Sequence, residues 1–524
     1  MAGPEMAGTG ALVRLILRRD RIWLALWVVL IAAFVYGTVS TIGTLMPTVE
    51  ARREYAVQIA ANPAVLLIQG PAYDLSVGAI AAQQRAAATM IFAALGSVLF
   101  LVRHTRSDEQ AGRRDLIGAA PVGRHAPLTA ALAVVLVADA LLAVLITAVL
   151  AGAGMPVAGS LAWGLIAACG GWVAAGMAAV GVQVTPGARP AGLGTLGLFF
   201  ALYLLRGVSD VAAPWLGWAV PTGWLLRARP FAGERWWVFV LAAALAAVLV
   251  ALAYRLAGRR DVGAGLLPER AGPIAAAGWL RTPLALAWRT QRATAVAWLV
   301  AAVLFGLALG FGGREAVEEF GGSTGLAAWA ARMGSAADPA QVFYGLVIYV
   351  FGAYTVSLYT LLAVSRLWHE EAGGIAETVL AGPTGRLRWA VGHLLVALAV
   401  PAALLTVVGL LCGLGSGDVG GLLALTLPLL PAVWVLTGVT VAAYGLLGRA
   451  GAIAAWAVFG LVVALEFGWE IGLVTDEAFR LSPFAHVHYS ALADPGPATA
   501  AALTVVAGVF TALGLTALGR RDIG

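Results

Sequence analysis

The sequence predicts an all-α polytopic membrane protein made of two tandem six-helix transmembrane units, a pseudo-dimer within one chain. Composition is the first observation behind this. The chain is 61% hydrophobic and 11% charged, whereas charge makes up about a quarter of a soluble domain. The second is the number of apolar runs: twelve are long enough to span a bilayer at roughly 20 residues each. The third is a repeat at half the chain length. Shifting the 524-residue sequence by 262 positions superimposes Glu109 on Glu371, Gly112 on Gly374, Asp115 on Glu377, Pro121 on Pro383 and Arg124 on Arg386. The end of the unit repeats as well, since Gly258-Arg259-Arg260-Asp261-Val262-Gly263 returns as Gly519-Arg520-Arg521-Asp522-Ile523-Gly524. Duplicating a membrane unit is one way in which transporters build a path between two similar halves.

The runs lie near 22–45, 86–102, 127–150, 161–183, 191–206, 237–256, 293–312, 344–365, 389–413, 420–446, 451–469 and 497–518. They divide the chain into a first unit over 1–263, a linker over 264–285 and a second unit over 286–524. The first run follows Arg14, Arg18, Arg19 and Arg21. It has no short apolar core ending in a small-x-small cleavage site, so it reads as a retained helix. Residues 11–21 alternate Leu12, Leu15 and Ile16 with Arg14, Arg18 and Arg21. That pattern predicts an amphipathic helix lying on the inner leaflet, and residues 284–292 take the same place before the seventh run. Segment 206–237 holds Trp215, Trp218, Trp224, Trp236 and Trp237 with Pro214, Pro221 and Pro230, and its counterpart near 468–496 holds Trp469, Pro483, Phe484 and Tyr489. Interfacial aromatics and helix-breaking prolines predict short helices dipping into the outer face.

The formal charge of +6 lies in short loops, with no single basic face, which excludes a nucleic-acid partner. With the N-terminus inside, the inner segments hold 23 Arg and the outer ones 10. The count places both termini in the cytoplasm and the chain in the cytoplasmic membrane as a multi-pass protein. Four of the ten outer arginines fall in 206–236, against the trend. Every basic residue is Arg and none is Lys, a bias that points to a high-GC bacterial genome. Cys169 and Cys412 sit inside apolar runs, which argues against a disulfide framework.

Chemistry concentrates in the inner loops. The first has Asp108, Glu109, Gly112, Asp115 and Arg124, and the second has Glu370, Glu371, Gly374, Glu377 and Arg386. Acids early and Arg late suit the dipole of a short helix, so a purely structural role is open. That role does not explain why both halves place the same helix on the same side, where a membrane domain presents itself to a cytoplasmic partner.

This pattern resembles the coupling loop of type 2 ABC transporter permeases, in which an acid, a Gly, a second acid, small residues and then Pro-x-x-Arg lie between the second and third helices of a six-helix unit. Over essentially the whole chain, the sequence resembles the duplicated twelve-helix branch of that family, the tetronasin-type exporters of polyketide antibiotics from actinobacteria. The resemblance implies an ABC-2 type, type V exporter-like fold with an N-terminal connecting helix and re-entrant outer helices. It also implies that separate ATPase subunits dock on the two loops, with the ten loop residues above as their contacts. Gly374-Ile375 and His369 depart from the usual polar pattern of the loop, which points to unequal coupling by the two halves.

Walker A requires a lysine that reaches the β- and γ-phosphates. A chain with no lysine cannot contain it, so the chain is expected to be no enzyme and to hold no cofactor, with ATP and Mg²⁺ on two copies of a partner ATPase. Cargo is expected to pass between the halves along the second and fifth spans of each. Met90, Phe92, Leu95, Phe199, Phe200, Tyr203, Phe351, Tyr354 and Phe459 are large side chains in those spans. Such a wall favours hydrophobic or amphipathic drugs and natural products, because a small polar cargo would leave its own groups unsatisfied. Asp139, Glu466 and His393 are the ionisable groups within spans; intramembrane charge marks a path by default, and for Asp139 a bond to a neighbouring helix explains it equally well. No metal site is expected, since His486-x-His488 offers two ligands with no cysteine nearby. Two other classes stay open: a proton-coupled secondary transporter, and a lipid-modifying enzyme built on Asp476, Glu477, His486 and His488.

Overall fold

The computed structural model describes residues 4–61, 63–113, 121–261, 263–267, 274–320, 339–470, 473–487 and 493–521. All regular structure among them is helical. Twelve of the described helices are long and apolar enough to cross a membrane, so this is a polytopic membrane protein. They are α1 Thr9–Leu45, α2 Val77–Gln110, α3 Ala126–Gly152, α4 Val157–Val184, α5 Ala188–Val211, α6 Trp237–Ala257, α7 Pro283–Gly310, α8 Phe343–Ala372, α9 Arg386–Ser416, α10 Val419–Leu447, α11 Gly451–Trp469 and α12 Pro497–Arg520. The chain divides into two compact units, Met1–Gly272 and Pro273–Gly524.

In the first unit α4 is the central helix, with α2, α3, α5 and α6 all packed on it. Its glycines explain why. Lipid tails are as apolar as leucine, so membrane helices associate through close backbone approach at small residues. A Cβ on Gly164 would stand 2.6 Å from the Ala143 carbonyl, one on Gly170 2.4 Å from Met90, and one on Gly176 2.9 Å from Leu249. In the second unit the same device joins α10 to α12. A Cβ on Gly445 would meet the Gly514 carbonyl at 2.0 Å, and one on Gly438 the Ala507 carbonyl at 2.6 Å. Each unit also carries one matched bond at the 262-residue shift. The Trp172 indole donates to the Leu136 carbonyl at 3.1 Å, and the Trp434 indole donates to the Leu398 carbonyl at 3.2 Å.

α1 is a single helix of 37 residues, so residues 11–21, expected to lie on the leaflet as a separate helix, are instead its first turns. Leu12, Ile16 and Leu24 cluster with Ala126, Ala130 and Val134 of α3, and the stripe that reads as lipid-facing is spent on a neighbouring helix. Residues 284–292 likewise open the longer helix Pro283–Phe320 that contains α7. Short helices precede the last span of each unit, at Pro214–Trp218 and Pro221–Leu226 in the first and at Asp476–Phe479 and Pro483–His486 in the second. The first pair folds back on α5, where the Thr222 hydroxyl donates to the Leu202 carbonyl at 2.9 Å.

Candidate functional site

The C-terminal ends of α2, α4 and α6 meet at one end of the first unit, where the repeated loop begins. α2 finishes in a π-helical turn over Arg103–Ser107, a feature that often marks functional sites in helices. Gly112 then leaves the helix in the left-handed region at φ 68°, where glycine carries no Cβ penalty. Glu109, just before it, is buried and is enclosed by donors. Arg260 reaches both of its oxygens at 2.8 and 2.9 Å, Arg106 lies 3.1 Å away, and the Gly263 amide donates at 2.5 Å. Arg260 continues to the Gln183 side chain at 2.5 Å, at the end of α4. Arg124 closes the group by donating to the carbonyls of Ala257 and Arg260 at 2.9 and 3.0 Å. Carbonyls at a helix end lack partners within the helix, so Arg124 acts as a cap for α6. We call this constellation the latch.

The second unit builds the latch again. Gly374 is left-handed at φ 71°, and its amide bonds the Glu371 carbonyl as that of Gly112 bonds Glu109. Glu371 accepts from Arg521 at 2.6 Å and from the Tyr444 hydroxyl at 2.7 Å. Arg386 donates to the Arg521 carbonyl at 2.8 Å. Tyr444 of α10 thus takes the place that Gln183 of α4 holds in the first unit. The two sequence repeats, acid-Gly and Arg-Arg-Asp, are the two halves of one fastener in each unit.

The first acid of each pair is used differently. Asp108 binds Arg19 of α1 at 3.1 Å and Arg113 at 2.6 Å, whereas buried Glu370 binds Arg366 at 3.1 Å and, on α9, Trp389 and His393 at 3.2 Å each. A buried imidazole joins the first helix in both units. His104 meets Asp20 at 2.6 Å, and His393 lies 3.0 Å from Gln291. Past the latch of the second unit, Ile375–Leu380 forms a short helix with Ala376 buried and Ile375, Glu377 and Thr378 exposed. Its counterpart in the first unit, with Asp115, lies outside the described residues.

Of the expected path residues, Met90, Phe199, Tyr203 and Phe351 are buried within their own units. Phe92, Leu95 and Phe200 are exposed, and Tyr354 and Phe459 are half-buried. Phe351 stacks on Phe305 with ring centres 4.4 Å apart, and Tyr203 donates to the Ile68 carbonyl. Asp139 is buried against the Ser97 hydroxyl at 2.9 Å, the interhelical bond that the sequence leaves open as its bland role. Glu466 accepts from Tyr349 and lies 3.4 Å from Ser482. Among the described residues no three His, Cys, Asp or Glu converge as for a metal. Reading the sequence missed Arg106, Gln183, Arg260, Tyr444 and Arg521 as site residues. Opposite charges about 150 residues apart, repeated in both halves at the same end of the spans, were the available signal.

A family model described as the C-terminal domain of the multidrug efflux system permease Rv1217c matches residues 280–518, which covers α7 to α12 apart from the last two residues of α12. The chain is also 36% identical, over 532 aligned residues, to the multidrug efflux system permease protein Rv1217c of Mycobacterium tuberculosis (strain ATCC 25618 / H37Rv), covering 99% of this chain and 96% of the relative. This chain belongs to the Rv1217c family of multidrug efflux permeases. Membership gives it a transport role in a membrane rather than a catalytic one, and a permease of an efflux system works with partner components.

Proposed function

We propose that this permease is the membrane subunit of an ABC-2 type exporter, driven by two copies of a separate ATPase that hold ATP and Mg²⁺ and dock on the loops after α2 and α8. The tetronasin-type branch is the relative we favour, with hydrophobic or amphipathic drugs as cargo and the latch end in the cytoplasm. The observation that carries this reading is the repeated latch. A push on a loop moves its glutamate, the glutamate is bonded to an arginine at the end of the unit's last span, and that arginine is bonded to the fourth span. Two loops so fastened convert closure of a partner into movement of several helices together, as a loose surface loop does not. For cargo, the second unit offers an open apolar groove between α7 and α8, lined by Ala301, Phe305, Val347, Val350 and Phe351. Dispersion and area burial there suit bulky apolar molecules with loose selectivity. Exposed Phe92, Leu95 and Phe200 extend the same chemistry to the first unit.

The test pairs biochemistry with cells. Purified alone, the chain is expected to hydrolyse no ATP, and hydrolysis stimulated by drugs is expected only with the ATPase added. Cells that carry both subunits are expected to survive higher doses of hydrophobic antibiotics. ATP turnover by the single chain, or unchanged susceptibility across a hydrophobic panel together with uptake or export of a small sugar, overturns the reading.

A further inference from the structure

At the end of the first unit opposite the latch, four arginines stand where the sequence trend calls for few. Three of them, Arg206, Arg227 and Arg229, line one small cleft with about 30 Å³ of room, open to solvent at its mouth, with Gln69, Gly70, Pro71 and Tyr73 on its wall beside Ala79, Ala82 and Ala86 of α2. Asp210 is the one carboxylate on its wall. It is already divided between Arg206 at 2.8 Å and Arg227 at 3.0 Å. Arg206 is 1% exposed and spends its terminal nitrogens on Asp210 and on the carbonyls of Leu67 and Ile68. Its Nε has no hydrogen-bond partner, nor do Arg227 Nη1 and Arg229 Nε, and all three atoms are buried.

Arg206 is buried and Arg227 and Arg229 are half-buried, and the three guanidiniums face one wall carboxylate, a surplus of two positive charges along the cleft. Tyr73 does not offset it. Burial, with Asp210 behind it, raises the Tyr73 phenol above its ordinary value against the pull of Arg227, Arg229 and Arg235, so it stays neutral beneath Arg229, whose guanidinium lies 4.4 Å from the ring centre. Glu234, which accepts from the Phe231 amide at 3.1 Å, is not on the cleft wall. Water fills a hydrogen bond but supplies no charge, and uncompensated buried charge is among the most costly arrangements in a protein.

The backbone that carries these groups is held in place. Arg229 and Phe231 both adopt left-handed conformations, at φ 57° and 60°, which cost non-glycine residues of order 1 kcal/mol each. The Phe231 ring locks the turn by seating on Gly78 and Gly159, where an added Cβ would fall 2.8 and 2.1 Å from it. Strain of this kind persists where the surroundings over-determine it, and it gathers at ligand sites.

We propose that this cleft binds one oxyanion, the carboxylate or phosphate head of an amphiphile, clamped by Arg206, Arg227 and Arg229. Guanidinium forks recognise both heads through charge-assisted hydrogen bonds, and about 30 Å³ suits the head alone, with the tail leaving through the open mouth. The sequence does not repeat the three arginines: at the 262-residue shift, Gly468, Tyr489 and Ala491 stand in their place. One anion per chain is therefore expected. The site is read from binding to this chain alone, so it stands or falls apart from the transport reading.

Full-length protein in a neutral detergent is titrated with radiolabelled palmitate and with methyl palmitate. The acid is expected to bind once per chain and at least about tenfold more tightly than the ester, as one or two charge-assisted bonds require. Arg229→Gln is expected to weaken palmitate at least about tenfold in protein that still melts cooperatively, because among the described residues this guanidinium makes no ion pair and the fold gives up only its contact with the Tyr73 ring. Arg227→Gln gives the same loss where it folds, and Arg229→Gln decides the matter if it does not. Competition identifies the source. Displacement by phosphatidylglycerol but not by phosphatidylcholine assigns a lipid head, displacement by inorganic phosphate assigns a free oxyanion, and displacement by neither keeps the carboxylate. Equal affinity for acid and ester, or parental affinity in Arg229→Gln, reduces the cluster to a structural knot and overturns the proposal.

Discussion

Glu109 and Glu371 hold equivalent places and differ in how completely the protein surrounds them. The Glu109 and Arg260 side chains are 3% and 8% exposed, against 13% and 21% for Glu371 and Arg521. Removing one partner of a buried ion pair leaves the other charge uncompensated, a loss of about 3–5 kcal/mol. Glu109→Ala strands both Arg106 and Arg260, so it is expected at the top of that range, with lowered expression and melting temperature in detergent. Glu371→Ala leaves Arg521 within reach of water, and a loss of about 1–3 kcal/mol follows. Melting curves of the two variants in one detergent check the order, and a larger drop for Glu371→Ala contradicts it. Loss of transport in either single alanine variant is thus no proof of a docking contact, since the fold itself leans on these groups.

At the scale of helices, small residues set the distances. Gly171 of α4 faces the Asp139 carboxyl of α3 so closely that an added Cβ would fall 2.4 Å from an oxygen. Gly171→Ala is therefore expected to displace Asp139 from Ser97 and to cost about 1–3 kcal/mol through overpacking. Asp139→Asn keeps an acceptor for the Ser97 hydroxyl and is expected to cost less, with melting temperatures again the measure. A Gly171→Ala variant as stable as the parent would mean that α3 and α4 slide freely, contrary to this packing. Twelve spans were legible in the sequence because twenty apolar residues in a row have few other uses. The extent of α1 was not, since Leu12 and Ile16 make the same stripe whether they face lipid or α3. Nor was the latch, whose halves are both visible as repeats while their pairing depends on how α2 and α6 end together. The surplus of arginine over 206–236 was visible as an anomaly, and only the fold of the turn at 227–234 gathers it into one cleft.

At the scale of the molecule, the latch recurs in both units while its surroundings differ. The buried imidazole sits on the second span in one unit and on the third in the other, and the three arginines of the first unit's cleft are not repeated in the second unit's sequence. On the proposed function, two similar latches in unequal surroundings would transmit a push on each loop to different sets of helices. The exposed face of Ile375–Leu380 allows fold and coupling to be separated in the second unit. Ile375 is 47% exposed, Glu377 is exposed beside it, and neither has an ion-pair partner among the described residues. Surface substitutions away from such partners usually change stability by no more than about 0.5 kcal/mol. Ile375→Asp with Glu377→Arg is therefore expected to leave the melting temperature in place while removing an exposed apolar side chain and reversing a charge on the surface that the proposed ATPase would meet. Drug-stimulated hydrolysis in the reconstituted pair should then fall at least about tenfold, the equivalent of about 1.4 kcal/mol of lost docking energy. Full stimulation in that variant moves docking away from this helix, while a collapse in melting temperature moves the helix into the core and the latch out of the coupling path.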